Sequence, residues 1–366
     1  RDLNFAAAGF LPIGGSSVYF VNPRLRTPYV LQYNLSVQRE LMRGTVLEVN
    51  YVGSGSRKLT AIVDANPMLP GTTARLFTTT PGNAPNSFSF LDSFENAANA
   101  SYNSLQVGLT KRPTGGNGKF GELYYQVSYT YGKSIDNASG FRETGTRTPY
   151  FNRGQFRGVS DFDVQHNFVL SGGWDLPFAQ MWSGGPKLLT RGWSLYPILS
   201  LNTGFPLDVT ARLARTRTRT GPSGIGDPNI VRADLVAPGV TTFDPRQAQT
   251  INGRAGRYWF DPRAFSNARF TTAFDAQVVA NPSLATYGTL GRNAFRQPGR
   301  ANFDLALAKT FFFGERVRSE FRAEAFNLVN NVQWRDVSNS IVAGAFGQAT
   351  QTYDPRIVQL ALRISF

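Results

Sequence analysis

The chain has 366 residues, 41% of them hydrophobic and 13% aromatic, so it can bury a large apolar surface and is not a disordered polymer. Its formal net charge is +14, but the basic residues are scattered and contain no run of five or more, which disfavours a nucleic-acid-binding protein. The absence of cysteine disfavours disulfide-stapled domains and thiolate metal sites, and no apolar run reaches the roughly 18 residues of a membrane-spanning helix. A membrane β-strand needs only about 9 to 11 residues with every second one apolar, so this class of membrane protein stays open.

Two neighbouring segments predict a β-hairpin, because apolar and polar residues alternate along both of them. They are residues 30–40 and 45–54, and a short turn joins them. Successive side chains of a strand point to opposite faces, so this hairpin has one apolar and one polar face. The candidates for the polar face are Gln32, Asn34, Glu48 and Asn50.

Seven further segments show the same two-residue period. They are residues 102–112, 121–133, 163–176, 193–209, 301–313, 316–328 and 356–366. Short turns and long loops alternate along the chain, and the longest loops cover residues 55–100 and 210–300. Membrane barrels have short periplasmic turns and long extracellular loops, whereas a soluble sandwich has no reason to sort its connections. The predicted fold is therefore all-β, a fragment of about nine strands from an antiparallel transmembrane β-barrel with long extracellular loops.

One late strand carries charges of both signs on a single face. The charged residues at every second position are Arg318, Glu320, Arg322 and Glu324. Such a ladder suits the polar interior of a barrel, so these residues join the four polar residues of the first hairpin as candidates that face the lumen. A solvated face of a soluble sheet would show the same ladder, and the sorted loops favour the barrel.

The last strand, residues 356–366, ends on an aromatic residue. Its apolar residues at every second position are Val358, Leu360, Leu362, Ile364 and Phe366. A terminal aromatic residue behind such an alternation resembles the signal by which the barrel assembly machinery recognises outer-membrane proteins. The candidate assembly signal of this closing strand is therefore Leu362, Ile364 and Phe366.

Six phrases spread over the chain point to one family. They are PYVLQYNLSVQRE (28–40), EVNYVGS (48–54), YTYGKSID (129–136), SDFD (160–163) followed by His166, FRAEAFNL (321–328) and DPRIVQL (354–360). Together they resemble the Oar-like TonB-dependent outer-membrane receptors, which carry a carboxypeptidase-regulatory-like domain. The resemblance runs from about residue 29 to the end of the chain.

The resemblance implies a receptor of the bacterial outer membrane with a plug domain, an energy-coupling box and a barrel of about 22 strands. Residues 1–366 would be a C-terminal part of that barrel without the plug, and residues 1–28 the remainder of an extracellular loop. The implied role is ligand uptake, with no enzymatic activity and no cofactor. The implied partners are outer-membrane lipid and lipopolysaccharide, the barrel assembly machinery, the TonB complex through the missing plug region, and an unknown extracellular ligand.

Two other functions stay open at this point. A structural or adhesive barrel without transport would have the same strands and loops, and a plug with a coupling box would distinguish the receptor from it. A soluble secreted β protein or β-sheet enzyme would require the apolar strand faces to pack against each other. Extraction without detergent would favour that class.

One histidine and two nearby carboxylates invite a catalytic or metal-binding interpretation. His166 is the only histidine of the chain, and Asp161 and Asp163 lie close to it in the sequence. No Gly-x-Ser-x-Gly nucleophile motif accompanies them. The ordinary interpretation places the two aspartates at the rim of the barrel and His166 on the strand that follows.

The longest loop carries two sets of charged residues. Its arginines are Arg212, Arg215, Arg217 and Arg219. They could attract an anionic ligand or a lipopolysaccharide phosphate, although ordinary solvated charge on a loop is the alternative explanation. Its aspartates do not have the spacing of a calcium-binding loop, and they are Asp227, Asp234, Asp244 and Asp261. The arginines remain candidate ligand contacts, and no metal is assigned.

Overall fold

The structure is a computed structural model that describes residues 16–64, 88–115, 120–139, 148–149, 153–211, 232–284, 286, 288–314 and 316–366. Its strands are β1 (Ser16–Val21), β2 (Tyr29–Met42), β3 (Thr45–Asp64), β4 (Phe88–Lys111), β5 (Glu122–Asp136), β6 (Thr148–Pro149), β7 (Gly158–Val159), β8 (His166–Asp175), β9 (Trp193–Asn202), β10 (Pro206–Leu207), β11 (Asp234–Leu235), β12 (Gln249–Ile251), β13 (Arg254–Gly256), β14 (Phe265–Ser266), β15 (Phe295–Arg296), β16 (Arg300–Phe313), β17 (Val317–Phe326), β18 (Trp334–Val337), β19 (Ala349–Thr352) and β20 (Ile357–Ser365). Its helices are α1 (Phe178–Met181), α2 (Lys187–Thr190) and α3 (Thr272–Ala280). None of the helices in these ranges is long and apolar enough to cross a membrane.

Nine strands form one antiparallel sheet, termed the wall, in the order β2-β3-β4-β5-β8-β9-β16-β17-β20. Short turns join the strands at one end, and the long connections leave from the other. Gly44 and Gly314 lie in two of these turns with φ of 73° and 68°, a conformation that glycine adopts without steric cost. Within the described ranges β2 pairs only with β3 and β20 only with β17, so the wall is an open sheet with two free edges.

The wall has one apolar and one polar face, because the register keeps side chains of one kind in rows across the strands. Leu35 lies opposite Tyr51, and Tyr51 lies opposite Leu105. At the other edge Ala323 lies opposite Leu360. Leu35 and Leu360 are 67% and 66% exposed, so nothing in the described ranges covers the apolar face there. A sheet that leaves this much apolar surface uncovered is typical of contact with lipid.

The first long connection differs from its prediction. Residues 55–100 were predicted as a loop, but β3 continues to Asp64 and β4 already begins at Phe88. The added strand residues lack the two-residue period because both of their faces are covered, and the consecutive residues Ala97 and Ala98 are both buried. Beyond the wall, β1 pairs in parallel with β4 and β6 pairs in parallel with β3. Part of residues 1–28, predicted as the remainder of a loop, is therefore the strand β1.

The connections that follow β9 and β17 fold together into a cap, which consists of residues 203–211, 232–284, 286, 288–299 and 327–356 in the described ranges. The predicted strand 193–209 is too long, since β9 ends at Asn202. Pro206 and Leu207 leave the wall and pair with Arg296 and Phe295 inside the cap. The chain can leave the wall at this point because the backbone of Pro206 and Leu207 finds its pairing partners inside the cap.

The cap has its own hydrophobic core, to which both connections contribute. Its buried residues are Leu207, Val209, Ala211, Ala233, Phe260, Ala264, Phe265, Phe270, Leu290, Val337, Phe346 and Ala349. The Phe260 ring lies edge-on to the rings of Phe265 and Phe346, with centroids 5.3 Å away in each case, a favoured aromatic geometry. The predicted loop at residues 210–300 is therefore a folded body in its described part.

Candidate functional site

An ion-pair network at the rim of the wall joins the cap to the strands. Its centre is Arg292, whose Nη1 donates to Asp136 Oδ1 over 2.5 Å and whose Nη2 donates to Asp161 Oδ1 over 2.7 Å. Nη2 also donates to Ser139 Oγ over 2.5 Å. The side chains of Arg292 and Asp136 are only 5% and 2% exposed. One arginine from the cap thus binds three groups at the end of β5 and in the connection that follows it.

A second arginine of the cap makes a similar set of contacts four residues further along the chain. Arg296 Nη2 pairs with Asp163 Oδ2, and Nη1 donates to the backbone oxygens of Asp163 over 3.0 Å and Gly204 over 3.1 Å. The other carboxylate oxygen of Asp163 accepts a hydrogen bond from the backbone nitrogen of Ser134 over 2.5 Å. Asp163 therefore connects the backbone of β5 to the cap.

An asparagine and a glycine complete the contact. Asn293 Nδ2 donates to Asp161 Oδ1 and to the backbone oxygen of Val159, both over 2.7 Å. A Cβ atom on Gly158 would lie 2.7 Å from the backbone oxygen of Arg292, so glycine is needed for the two backbones to approach. The contact is termed the rim latch, and its members are Asp136, Asp161, Asp163, Arg292, Asn293 and Arg296.

The rim latch keeps its charges although it is largely buried. Burial by itself lowers the pKa of Arg292, but the hydrogen bond to Asp136 and the charges of Asp161 and Asp136 outweigh it, so the pKa lies above its usual value. Removing such charges from water is expensive, and hydrogen bonds with good geometry are what repay the cost. The network therefore selects one position of the cap on the wall, because any other position would leave buried charges without partners.

A further buried pair stabilises the cap next to the rim latch. Arg232 Nε donates to both carboxylate oxygens of Asp208, over 2.8 Å and 3.0 Å. The Arg232 side chain is 1% exposed, and its guanidinium carbon lies 5.0 Å from the centroid of the Phe156 ring. Since Phe156 belongs to the connection between β5 and β8, this arginine also packs the cap against the rim.

The register places all eight residues that were predicted to face a lumen on the polar face. Gln38 lies opposite Glu48 and Ser36 opposite Asn50, and the pairings of the following strands extend this face across the wall to Arg322. The eight residues are Gln32, Asn34, Glu48, Asn50, Arg318, Glu320, Arg322 and Glu324. Arg322 Nε pairs with Glu324 Oε1 over 2.7 Å, so charges of opposite sign neutralise each other there.

Comparison with known proteins decides the family. The family described as the outer membrane beta barrel domain matches residues 3–359. This chain belongs to that family. Its place in the cell is the bacterial outer membrane.

The fold of this barrel domain resembles that of a solved outer-membrane transporter. The crystal structure of the outer membrane transporter YddB from Escherichia coli matches it with a TM-score of 0.52 and 10% sequence identity. The match covers 96% of this chain and 34% of that chain, so the barrel domain spans about a third of the transporter's length. At this identity the likeness shows the fold alone. No curated protein matches the chain.

His166 does not meet the two aspartates in the barrel domain. It begins β8 on the apolar face, where its Nδ1 lies 2.9 Å from the Tyr129 hydroxyl and its ring lies 5.0 Å from the Tyr131 ring. Asp161 and Asp163 are held by arginines of the rim latch. The three residues therefore do not form the acid–base pair or metal site that their spacing suggested.

The charged residues of the longest connection divide into two groups. Arg212, Arg215, Arg217, Arg219 and Asp227 lie outside the described residues. The other aspartates pair with arginines, namely Asp234 with Arg269 over 3.0 Å, Asp244 with Arg246 over 2.7 Å and Asp261 with Arg263 over 2.7 Å. The hydrogen bond from Arg263 lowers the pKa of Asp261, and the one from Arg246 lowers the pKa of Asp244.

The sequence patterns missed the arginines of the rim latch. Arg292 binds Asp136 across 156 positions of sequence, and Arg296 binds Asp163 across 133. A period of two or a motif reports on neighbours in sequence and gives no information about such distant pairs. One sequence signal could have pointed to this site. The Gly-Arg-Asn triplet at residues 291–293 has turn-forming residues around a positive charge and comes shortly before a predicted strand.

Proposed function

We propose that this chain forms the wall and the ligand-facing connections of a TonB-dependent outer-membrane receptor, which imports a ligand through a plugged barrel. One observation carries the proposal. The wall has a polar face with charges of both signs, and the connections at one end of it fold into a cap that is fixed at the rim. A polar interior below structured outer connections is what a barrel needs to select a ligand and pass it inward.

The polar face would line the lumen, and the apolar face would meet lipid and lipopolysaccharide. Glu48, Glu320 and Arg318 would then face water or the plug, where their charge costs little. The fold likeness to an outer membrane transporter and the six phrases that resemble Oar-like receptors support the assignment to a receptor barrel. The parent barrel would have about 22 strands, and the two free edges of the wall would pair with strands of the same protein.

The proposal is tested by the contact with TonB. We expect the full-length protein, reconstituted in lipid, to bind the periplasmic domain of TonB, and to lose this binding when the coupling box of the plug region is deleted. The measurement is cross-linking with purified TonB domain. A full-length protein that assembles normally but never cross-links would favour the structural or adhesive barrel instead.

The pore itself offers a second measurement. In a planar lipid bilayer the full-length protein should conduct little current, whereas a version without its plug should open a large, water-filled pore, because the polar face would then line an empty lumen. A plug-deleted protein that is inserted yet conducts no more than the full-length protein would argue against a polar lumen.

The closing strand gives a prediction about assembly. Leu362 lies opposite Phe321 and Ile364 opposite Ser319 on the apolar face, and Phe366 follows them at the end of the chain. Replacing Phe366 with serine should lower the amount of folded barrel in the membrane several-fold, because the assigned assembly signal would lose its aromatic residue. Heat-modified mobility on gels measures the folded fraction. Ser365→Ala, on the polar face, is the control. Equal amounts of folded barrel in both variants would show that Phe366 is not part of the assembly signal.

A further inference from the structure

A pocket opens on the polar face of the wall, directly beside the rim latch. Its volume is about 340 Å³, which lies in the range of small-molecule sites. The three adjacent strands β4, β5 and β8 line it, and the segment before β8 forms one edge. Its lining residues include Tyr102, Gln106, Thr130, Phe162, Asp163 and Asn167. This site is termed the wall pocket.

The wall pocket has no uncompensated charge among its described lining residues. Among the described lining residues Asp163 is the one with a charge at neutral pH, and its carboxylate is already bound by Arg296 and by the backbone nitrogen of Ser134. Among these described lining residues an anionic ligand would find no free cation, and a cationic ligand would find a carboxylate that is already neutralised. The wall pocket therefore favours an uncharged ligand.

Several polar groups in the wall pocket have unused hydrogen-bonding capacity. Within the described ranges, the hydroxyls of Tyr102 and Thr130 and the side-chain amide of Asn167 have no hydrogen-bond partner. Gln106 uses its amide nitrogen, which donates to Ser104 Oγ over 3.3 Å, and its carbonyl oxygen stays available. Hydroxyls and amides both donate and accept, so a matching ligand carries groups that do the same.

Two aromatic rings add apolar surface beside these polar groups. A Cβ atom on Gly132 would lie 3.0 Å from the Tyr102 hydroxyl oxygen and 3.2 Å from a ring carbon, so the glycine leaves room for the ring across β5. Phe162 is 59% exposed although it is fully apolar. An exposed aromatic ring next to free hydroxyls and amides suits a ligand that is apolar on one side and polar at its edges.

We infer that the wall pocket binds a neutral saccharide. A sugar ring has hydroxyls that donate and accept at its edges, C–H groups that stack on an aromatic ring, and no charge. These three properties match the three properties of the wall pocket. The inference rests on the proposed function, because it names the class of ligand that a receptor with this wall would take up.

A peptide would fit this position less well. Extended peptides commonly bind by adding a strand to a free sheet edge, where their backbone groups find partners. β4, β5 and β8 are interior strands, and each pairs with a neighbour on both sides. The wall pocket therefore offers side chains and no free backbone edge, which favours a ligand recognised through its hydroxyls.

The test uses the full-length protein, purified in detergent, on an array of neutral oligosaccharides and of the same oligosaccharides with sulfate groups. We expect binding to at least one neutral glycan. Tyr102→Phe should weaken its affinity roughly three- to tenfold, because the change removes one hydroxyl and keeps the ring. Tyr131→Phe is the matched control, since Tyr131 lies on the apolar face of the same wall, and its affinity should equal that of the unchanged protein.

Three results would overturn the inference: binding to none of the glycans, binding only to sulfated ones, or equal affinity in Tyr102→Phe and Tyr131→Phe. A second variant, Phe162→Ala, separates stacking from hydrogen bonding. It should weaken binding without loss of the folded barrel, because Phe162 is exposed. Glycan binding needs neither TonB nor energy, so this experiment and the TonB experiment fail independently.

Discussion

Replacing Arg292 with leucine should make the free energy of docking the cap on the wall less favourable by about 3–5 kcal/mol. The change removes the partner of two carboxylates and leaves Asp136, 2% exposed, as a buried charge without its cation. Removing one member of a buried ion pair costs this much because the remaining charge stays desolvated. The wall should still assemble, since its strands are held by their own backbone ladders.

Limited proteolysis of the full-length protein in lipid measures the effect, because a released cap exposes its connections to the protease. Arg246→Leu is the control, since Arg246 and Asp244 form a pair that is 63% and 37% exposed, and its cleavage rate should not change. Arg292→Lys should give an intermediate rate, because lysine keeps the charge but lacks the planar fork that binds two carboxylates. Equal cleavage of Arg292→Leu and Arg246→Leu would show that the rim latch does not fix the cap.

Replacing Leu170 with arginine should destabilise the folded barrel in lipid by about 2–4 kcal/mol. Leu170 lies near the middle of β8 on the apolar face, opposite Val127 on one side and Leu199 on the other. A charge at this depth would stand in hydrocarbon, and the strand backbone cannot move to bring it to water. Denaturant titration of the protein refolded into lipid vesicles measures the difference.

The neighbouring residue provides the control. Ser171 lies opposite Gln126 on the polar face. Ser171→Arg introduces the same side chain one position along the strand, and it should cost far less, because its guanidinium would meet polar groups or water. If both variants lost the same stability, the assignment of the two faces to lipid and lumen would be wrong.

The sequence alone predicted the wall strands and their faces, because a strand that is apolar on one side has a period of two. The prediction failed where strands are covered on both faces. In the extension of β4 the consecutive residues Asp92 and Ser93 are both fully buried, so the pattern no longer marks a strand. The cap was predicted as a loop for a similar reason, since Leu207, Phe265 and Phe346 form its core without any regular spacing.

The sequence pointed to the two aspartates of the candidate site but not to the arginines that bind them. The sequence suggested Asp161 and Asp163 as possible partners of His166, but in the structure they form ion pairs with arginines. Which carboxylate meets which arginine depends on how the connections cross above the sheet, and no local pattern encodes that crossing. The wall pocket has the same origin, because Tyr102, Thr130 and Asn167 become neighbours only through strand pairing.

The shared core of the cap has a consequence for the order of events during biogenesis. Val337 and Phe346 belong to the connection before β20, whereas Leu207 and Phe260 belong to the connection before β16. The cap core cannot be complete until both connections have reached the same side of the membrane, which requires four successive strands to have been threaded. An antibody that recognises only the folded cap would therefore report the progress of barrel insertion, because it would bind only after β9, β16, β17 and β20 have crossed the membrane.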